Sequence, residues 1–288
     1  MPTLLEVSLR FSEDSPLFLQ ASGRAAQSLF LNALSALDPD LSESVKFKRS
    51  GAPPYSVGRI TLPRDLVDGK MGPRGYITVP ADAKAKFFLG LADDDLVDPA
   101  LKALQGSFKL GQADVEIEAK VKRSDSYSDL LASQPARLIS FKTRNPLVLG
   151  KVRREDYPEC VPAEFRWKFE RWDPWKRTLN PAHLLNLPYR AWNAYAPETL
   201  KLPGVVLRAL EVLEVVKVDL TWRSVEVPVK GKMKPEVGYT GLIELSAGGL
   251  DALVGSIVAG LARLAEYTGL GSRTTEGFGS VSVRLISP

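Results

Sequence analysis

Residues 250–285, LDALVGSIVAGLARLAEYTGLGSRTTEGFGSVSVRL, carry three signals in succession. Leu250, Leu253, Val254, Ile257, Val258, Leu261 and Leu264 recur at helical spacing and predict the clearest amphipathic helix of the chain. Val281, Val283 and Leu285 alternate with polar residues and predict a closing strand, at an edge or in the middle of a sheet. Between them stand Gly269, Gly271, Gly277 and Gly279, as G-x-G, five residues, G-x-G. Glycine accepts positive φ and lets another chain come close where a Cβ would stand, so glycines paired at both ends make a loop suited to close contact. Successive exposed N–H groups in such a loop form an anion nest. Arg273 at its centre, followed by Thr274, adds a guanidinium able to bind phosphate with two bonds. Gly269 alone would be an ordinary helix cap.

The elements upstream repeat one order. Val7, Leu9 and Phe11 alternate as a first strand, and Phe30, Ala33, Leu34 and Leu37 follow helical spacing from Ala26 until Asp38-Pro39. KFKRSGAPPYSVGRITL, 46–62, reads as two short strands in a hairpin tipped by Ser50 to Pro54. A short helix follows Asp93–Asp95, and Val115, Ile117, Ala119 and Val121 alternate as a strand. This is β-α-β-β-α-β, the ferredoxin-like unit. ARLISF (136–141) then starts the order again, with LPYRAWNAYAPETL as helix and a long strand through Val216, Val218, Leu220 and Trp222. Val225, Val227 and Val229 continue that strand out of phase, which calls for a bulge or turn near Arg223-Ser224. The expected class is α+β: tandem ferredoxin-like (RRM-like) domains with antiparallel sheets, 1–130 and 131–288. An insertion at about 150–188 is dense in aromatic and basic residues and too long for an ordinary connection.

Composition narrows the function. No run approaches the ~20 apolar residues of a membrane span, and MPTLLEVSLRF reads as a strand start and not as a secretory leader, so the expectation is a cytoplasmic protein without membrane contact. One cysteine, Cys160, and one histidine, His183, leave no internal disulfide and no Cys/His zinc set, so no metal and no cofactor are expected. A net charge of +4 suits a polyanionic partner.

The glycine loop between the last helix and last strand resembles that of the repeat-associated RNA-binding superfamily, and most closely its CRISPR repeat-processing endoribonucleases. ISFKTRNPLVL, YRAWNAYAP and VGYTGLIEL are similar to further segments of that family's second half, and LFLNALSALDPDLSESVKFKRSGAPPYSVGRI resembles its first helix, active-site turn and hairpin. The resemblance implies cleavage of CRISPR precursor transcripts at each repeat without metal, the 2′-hydroxyl attacking to leave a 2′,3′-cyclic phosphate and a 5′-hydroxyl. The implied partners are CRISPR repeat RNA and other CRISPR effector subunits, the chain acting as monomer or homodimer. Many members carry a histidine in the turn after the first helix; here Lys46 stands there, and His183 lies elsewhere. Two readings follow: a cutter relying on lysine and arginine, as members lacking the histidine do, or a repeat-binding subunit that no longer cuts. A third class, a small-molecule binder of the same fold, leaves the loop unexplained.

The expected catalytic cluster is Arg24 on the first helix with Lys46 and Lys48 in the turn, facing the loop and Arg273. From Lys46 to Arg64 there are five basic residues and no acidic one. Arg49, Tyr55, Ser56 and Arg59 join the expected RNA contacts, Tyr55 being equally well a core aromatic. Farther away are Lys142 and Arg144, and Lys230, Lys232 and Lys234, a basic hairpin tip that either reaches phosphates or guards a strand edge. Trp167, Trp172 and Trp175 either stack on bases or pack the insertion.

Overall fold

The computed structural model describes residues 1–19, 22–46, 51–67, 76–149, 180–229 and 232–287, with side chains for all of these but 223, 225–229 and 232–237. Most of the aromatic insertion, with Cys160 and its three tryptophans, lies outside the described residues, as do Lys48, Arg49 and Lys230.

The N-terminal alternation becomes β1 (Thr3–Phe11), burying Leu5, Val7, Leu9 and Phe11. β2 (Ser15–Phe18) leads to α1 (Ser22–Leu37), which turns Ala26, Leu29, Phe30, Ala33 and Leu34 inward. Asp38 stops α1 and caps the short α2 (Pro39–Ser44), its carboxylate accepting the Leu41 N–H at 2.9 Å. There follow β3 (Tyr55–Val57), α3 (Arg64–Val67), β4 (Tyr76–Val79), β5 (Lys84–Leu91), α4 (Val97–Ala103), β6 (Gln105–Leu110) and β7 (Ala113–Ser124). The main sheet runs β3-β5-β1-β7-β6, and β2 pairs with β4 as a separate ribbon. With β6 set aside as an edge hairpin partner of β7, the strands stand second-third-first-fourth, the ferredoxin-like arrangement. α1 and α4 share one core with the inward side chains of β1 and β5.

Of the hairpin expected within 46–62, residues 47–50 lie outside the described residues, and the second run makes a longer-range pairing. Tyr55 to Val57 pair with Leu91 to Leu89 of β5. Ala85, Phe87, Leu89 and Leu91 give β5 a continuous buried face, beside which β3 adds Tyr55 and Val57 to the core.

α5 (Tyr127–Leu131), closed by a Ser126/Asp129 capping box, precedes β8 (Leu138–Thr143). Then come α6 (Pro181–Tyr195), α7 (Val205–Val212), β9 (Glu214–Val229), β10 (Lys232–Ser246), α8 (Ala252–Thr268) and β11 (Val281–Ile286). The sheet order β11-β8-β10-β9 is fourth-first-third-second, the same arrangement again, with β11 at an edge. The fold is thus α+β with tandem ferredoxin-like units and antiparallel sheets. The phase shift in β9 is not absorbed at Arg223-Ser224, where pairing with β10 runs on unbroken; the irregularity falls at Val216, skipped between Glu244↔Lys217 and Leu245↔Val215. Val229↔Lys232 closes this hairpin and sets the backbone of Lys232 and Lys234 at its far end.

The two halves lock through α8. Tyr267 donates its hydroxyl to Asp125 Oδ2 at 2.5 Å and accepts from Arg123 Nε at 2.7 Å, while Arg123 pairs with Glu266 at 2.7 Å and Arg263 with Asp125 at 3.2 Å. Burial, together with the bond to Asp125, pushes the Tyr267 phenol well above its ordinary pKa, so it stays a donor. Among the described residues no helix is long and apolar enough to cross a membrane.

Candidate functional site

α8 ends at Gly269, whose N–H reaches Ala265 O at 2.9 Å. The loop then folds back: Leu270 N–H donates to Gly279 O at 2.8 Å, Ser272 N–H to Val148 O at 2.9 Å and Gly279 N–H to Pro146 O at 2.9 Å. Gly269, Gly271, Gly277 and Gly279 all take positive φ, at 75°, 75°, 90° and 69°. Arg273 is left-handed too, at 59°, and opens a short 3-10 turn, Thr274–Glu276.

What comes close to the four glycines is protein. A Cβ on Gly279 would stand 1.9 Å from Leu270 O, on Gly271 2.4 Å from Val148 O, on Gly269 2.8 Å from Thr274 Cγ2 and on Gly277 2.5 Å from Gly23 Cα. Gly269, Gly277, Gly279 and Thr274 are buried, and the amides of Gly269, Ser272 and Gly279 are used on carbonyls of the chain. The glycines therefore hold the loop in shape against the segment Pro146 to Val148 that follows β8 and against the start of α1, and the surface it offers is its rim, where Gly271, Ser272 and Arg273 are partly exposed.

At that rim charged groups from both halves converge. Arg24 Nε lies 2.8 Å and Arg273 Nη1 3.1 Å from the same atom, Glu276 Oε2. Tyr55 is buried edge-on against Phe30, ring centroids 5.1 Å apart, and its hydroxyl accepts from Gln27 Nε2 at 3.1 Å. Burial is the main cause that raises its pKa, and the Glu276 carboxylate adds to the rise. Tyr55 thus belongs to the core with its polar end at the site. Ser56 donates to Tyr267 O at 2.5 Å, and so fastens β3 to α8.

Arg59 lies under the loop. Its guanidinium carbon is 5.0 Å from the centre of the Phe278 ring, and its Cγ is 3.2 Å from where a Gly277 Cβ would stand. Nε and Nη2 are buried with no hydrogen-bond partner among the described residues. Burial pulls its pKa down to about 10, still far above neutrality, so it remains a cation. With its amide oriented to satisfy both neighbours, Asn145 accepts from Arg59 N–H and donates to Arg144 O, each at 3.1 Å.

The other expected residues are dispersed. Lys46 is exposed, and its partner among the described residues is Glu43, three positions back. Lys142 is exposed on β8, and the exposed Arg144 stacks at 5.8 Å over Phe88. His183 sits in the first turn of α6, where Asn180 caps the helix by accepting from Ala182 N–H at 2.8 Å. Burial lowers the His183 pKa. Among the described residues no three His, Cys, Asp or Glu side chains gather as metal ligands would.

Sequence reading missed three participants. Glu276 stood inside the quoted motif, yet nothing local pairs it with Arg24. Arg190, on α6, places Nη2 1.4 Å from the Cβ position of Gly51, whose φ is 71°. Tyr195 on the same helix donates to Ala52 O at 2.8 Å, and Ala52, Ala92 and Ala191 pack together. α6 of the second half therefore holds the turn that follows 47–50. Alternation and spacing carry no signal for such a contact across 139 positions of chain.

No curated protein matches the chain by sequence. Residues 160–281 match the family model for the CRISPR-associated endoribonuclease Cas6. Among solved structures, a product complex of Thermus thermophilus Cas6 (TTHB231) is similar with a TM-score of 0.68 at 20% identity, covering 99% of this chain and 100% of that one. A product complex of Cas6 (TTHA0078) gives 0.64 at 19%, over 99% and 100%, and the product of a Cas6-related gene from Pyrococcus furiosus 0.60 at 14%, over 99% of each chain. The match over 160–281, with the glycine loop in its place between the last helix and last strand, makes the second half of this chain similar to the CRISPR-associated endoribonuclease Cas6, and the solved structures share the fold of the whole chain.

Proposed function

We propose that the chain binds repeat sequences in CRISPR precursor transcripts and cuts them without metal to release guide RNAs. The observation that carries this is Arg59: a charged guanidinium with two buried N–H-bearing nitrogens unpaired among the described residues, under a loop rimmed by Arg24 and Arg273. An unmet donor of this kind costs about 1–3 kcal/mol, more when charged, and a backbone phosphate admitted where the rim above Arg59 parts would satisfy it with charge-assisted bonds.

In the reaction the 2′-oxygen next to the scissile phosphate bonds to phosphorus and loses its proton, while the bond from phosphorus to the 5′-oxygen breaks and that oxygen takes a proton up. The products are a 2′,3′-cyclic phosphate and a 5′-hydroxyl. Arg24, Arg59 and Arg273 would stabilise the added charge on phosphorus. Lys46 and Lys48 would serve the proton transfers, Lys46 after leaving Glu43, an exposed pair worth about 0–1 kcal/mol.

The tie between Lys46 and Glu43, and the place of the one histidine on α6, favour a second reading: a repeat-binding subunit with impaired cleavage. Incubation with repeat RNA in EDTA decides between them. One cut per repeat, abolished by a 2′-deoxy nucleotide before the scissile bond, is the expected result. Retention without cutting leaves the binding subunit, and no binding ends both readings. Lys46→Ala is expected to slow cleavage ~10²-fold or more with a much smaller loss of binding; equal losses would make Lys46 an anchor.

A further inference from the structure

We infer that Glu276 is a positioning residue of this site, fixing the guanidiniums of Arg24 and Arg273, one from each half of the chain, against a single carboxylate oxygen. The inference rests on the proposed function and names what aligns its cations. Both arginines meet Oε2, at 2.8 and 3.1 Å. The three side chains are only 20–33% exposed, so solvent screens the contacts less than at an open surface.

The carboxylate is also well rooted. Glu276 N–H donates to Arg273 O at 2.9 Å within the 3-10 turn. Its carbonyl oxygen lies 2.4 Å from the Cβ position of Gly23, and Gly277 Cα equally close. The residue before Arg24 is therefore pressed against the residue that Arg24 pairs with, and the start of α1 cannot slide along the loop without parting that contact. Only glycine at both 23 and 277 allows the approach.

A carboxylate at a phosphate-binding rim is unfavourable for binding, because it repels the ligand and occupies donors the ligand would use. Its presence is accounted for if it improves alignment. Reaction rate responds steeply to placement, with a shift of about 1 Å able to cost ~10²-fold. Affinity and cleavage should therefore respond in opposite directions to loss of this charge, which a residue needed only for folding would not produce.

The test compares wild type with Glu276→Gln and Glu276→Asp on repeat RNA, measuring binding at several salt concentrations and single-turnover cleavage. Glu276→Gln is expected to bind roughly 3- to 10-fold tighter, with a salt slope steeper by about one, since a negative charge facing the phosphate is removed from the rim. It should also cleave ~10- to 100-fold more slowly. Glu276→Asp keeps the charge on a shorter stem and should keep wild-type affinity while losing part of the rate. Unchanged or weaker binding by Glu276→Gln, or unchanged cleavage, overturns the inference. If Glu276→Gln does not fold, Glu276→Asp decides, and full wild-type cleavage in it is the overturning result. If wild type binds but does not cut, the proposed cleavage fails, and the Glu276 inference then stands or falls on whether Glu276→Gln binds more tightly. If wild type does not bind, both fail together.

Discussion

The glycine loop at 269–279 and the turn after α2 both carry basic residues, but the protein holds them by opposite means. In the loop each glycine is matched by a protein atom where its Cβ would be, and two arginines share one carboxylate oxygen. Lys46, at the start of the turn, is exposed and joined to Glu43 alone among the described residues. The turn is steadied further on, where α6 grips Gly51 and Ala52. The difference teaches that rigidity is placed at the loop, while Lys46 rests on an exposed pair that is cheaply released.

The strongest way to break this comparison is at Gly279. Gly279→Ala combines a positive φ with a Cβ 1.9 Å from Leu270 O, and the backbone oxygen cannot move without opening the loop. A loss of roughly 3 kcal/mol or more in denaturant-measured stability is expected, with RNA binding falling alongside. Gly111→Ala is the control: its φ is 66°, yet nothing lies within 4 Å of the added Cβ. Strain alone should cost about 1 kcal/mol there. Equal losses at the two positions would mean that the loop's contacts contribute nothing beyond backbone strain.

Arg59 is the next largest effect and sharpens the comparison, because here stability and function should separate. Arg59→Met keeps the apolar stem against Phe278 and removes a desolvated cation whose Nε and Nη2 have no hydrogen-bond partner among the described residues. Stability is expected to rise by about 1 kcal/mol or more, while repeat RNA binds roughly tenfold more weakly. A destabilised variant that binds RNA normally would show that Arg59 serves the fold.

Much of this was legible in the sequence, for reasons particular residues make plain. β1, α1, β7 and α8 are long, strongly periodic segments, and most of their inward residues are those the spacing selects, although Leu37, Val121 and Leu253, selected with them, are exposed at or beyond the ends of the buried faces. The glycine spacing located the loop, though for packing as much as for a ligand. β5 was missed because KAKFFLGL pairs with both β1 and β3 across distant chain, which no local turn signal announces. The β9 irregularity was misplaced because apolar phase reports which face is buried, and the outer part of this long hairpin has no core to obey; Trp222 is 67% exposed. Charge and position singled out Arg24 and Arg273, which the structure brings to one carboxylate. Their partner Glu276 was missed, since a carboxylate in a basic loop has no local signature.

The smallest expected effect tests how the turn depends on α6. His183 lies in the first turn of that helix, where burial lowers its pKa below the ordinary 6.5 and the helix dipole also disfavours a positive charge. The folded protein therefore binds this proton less readily than the unfolded chain. Stability from His183 is complete above about pH 6.5 and falls as pH drops below it, levelling once the folded-state value is passed. His183→Gln should remove this part of the pH dependence, so the difference in melting temperature between variant and wild type should shift between pH 7 and pH 5 in the variant's favour. Because α6 carries Arg190 and Tyr195 to the turn, acidification should raise hydrogen exchange at Ala52 before it does so at Leu270, whose amide is bonded to Gly279 O. Parallel pH curves for the two proteins would show that His183 is as accessible to protons in the folded chain as in the unfolded one, and that the turn's hold on α6 is independent of it.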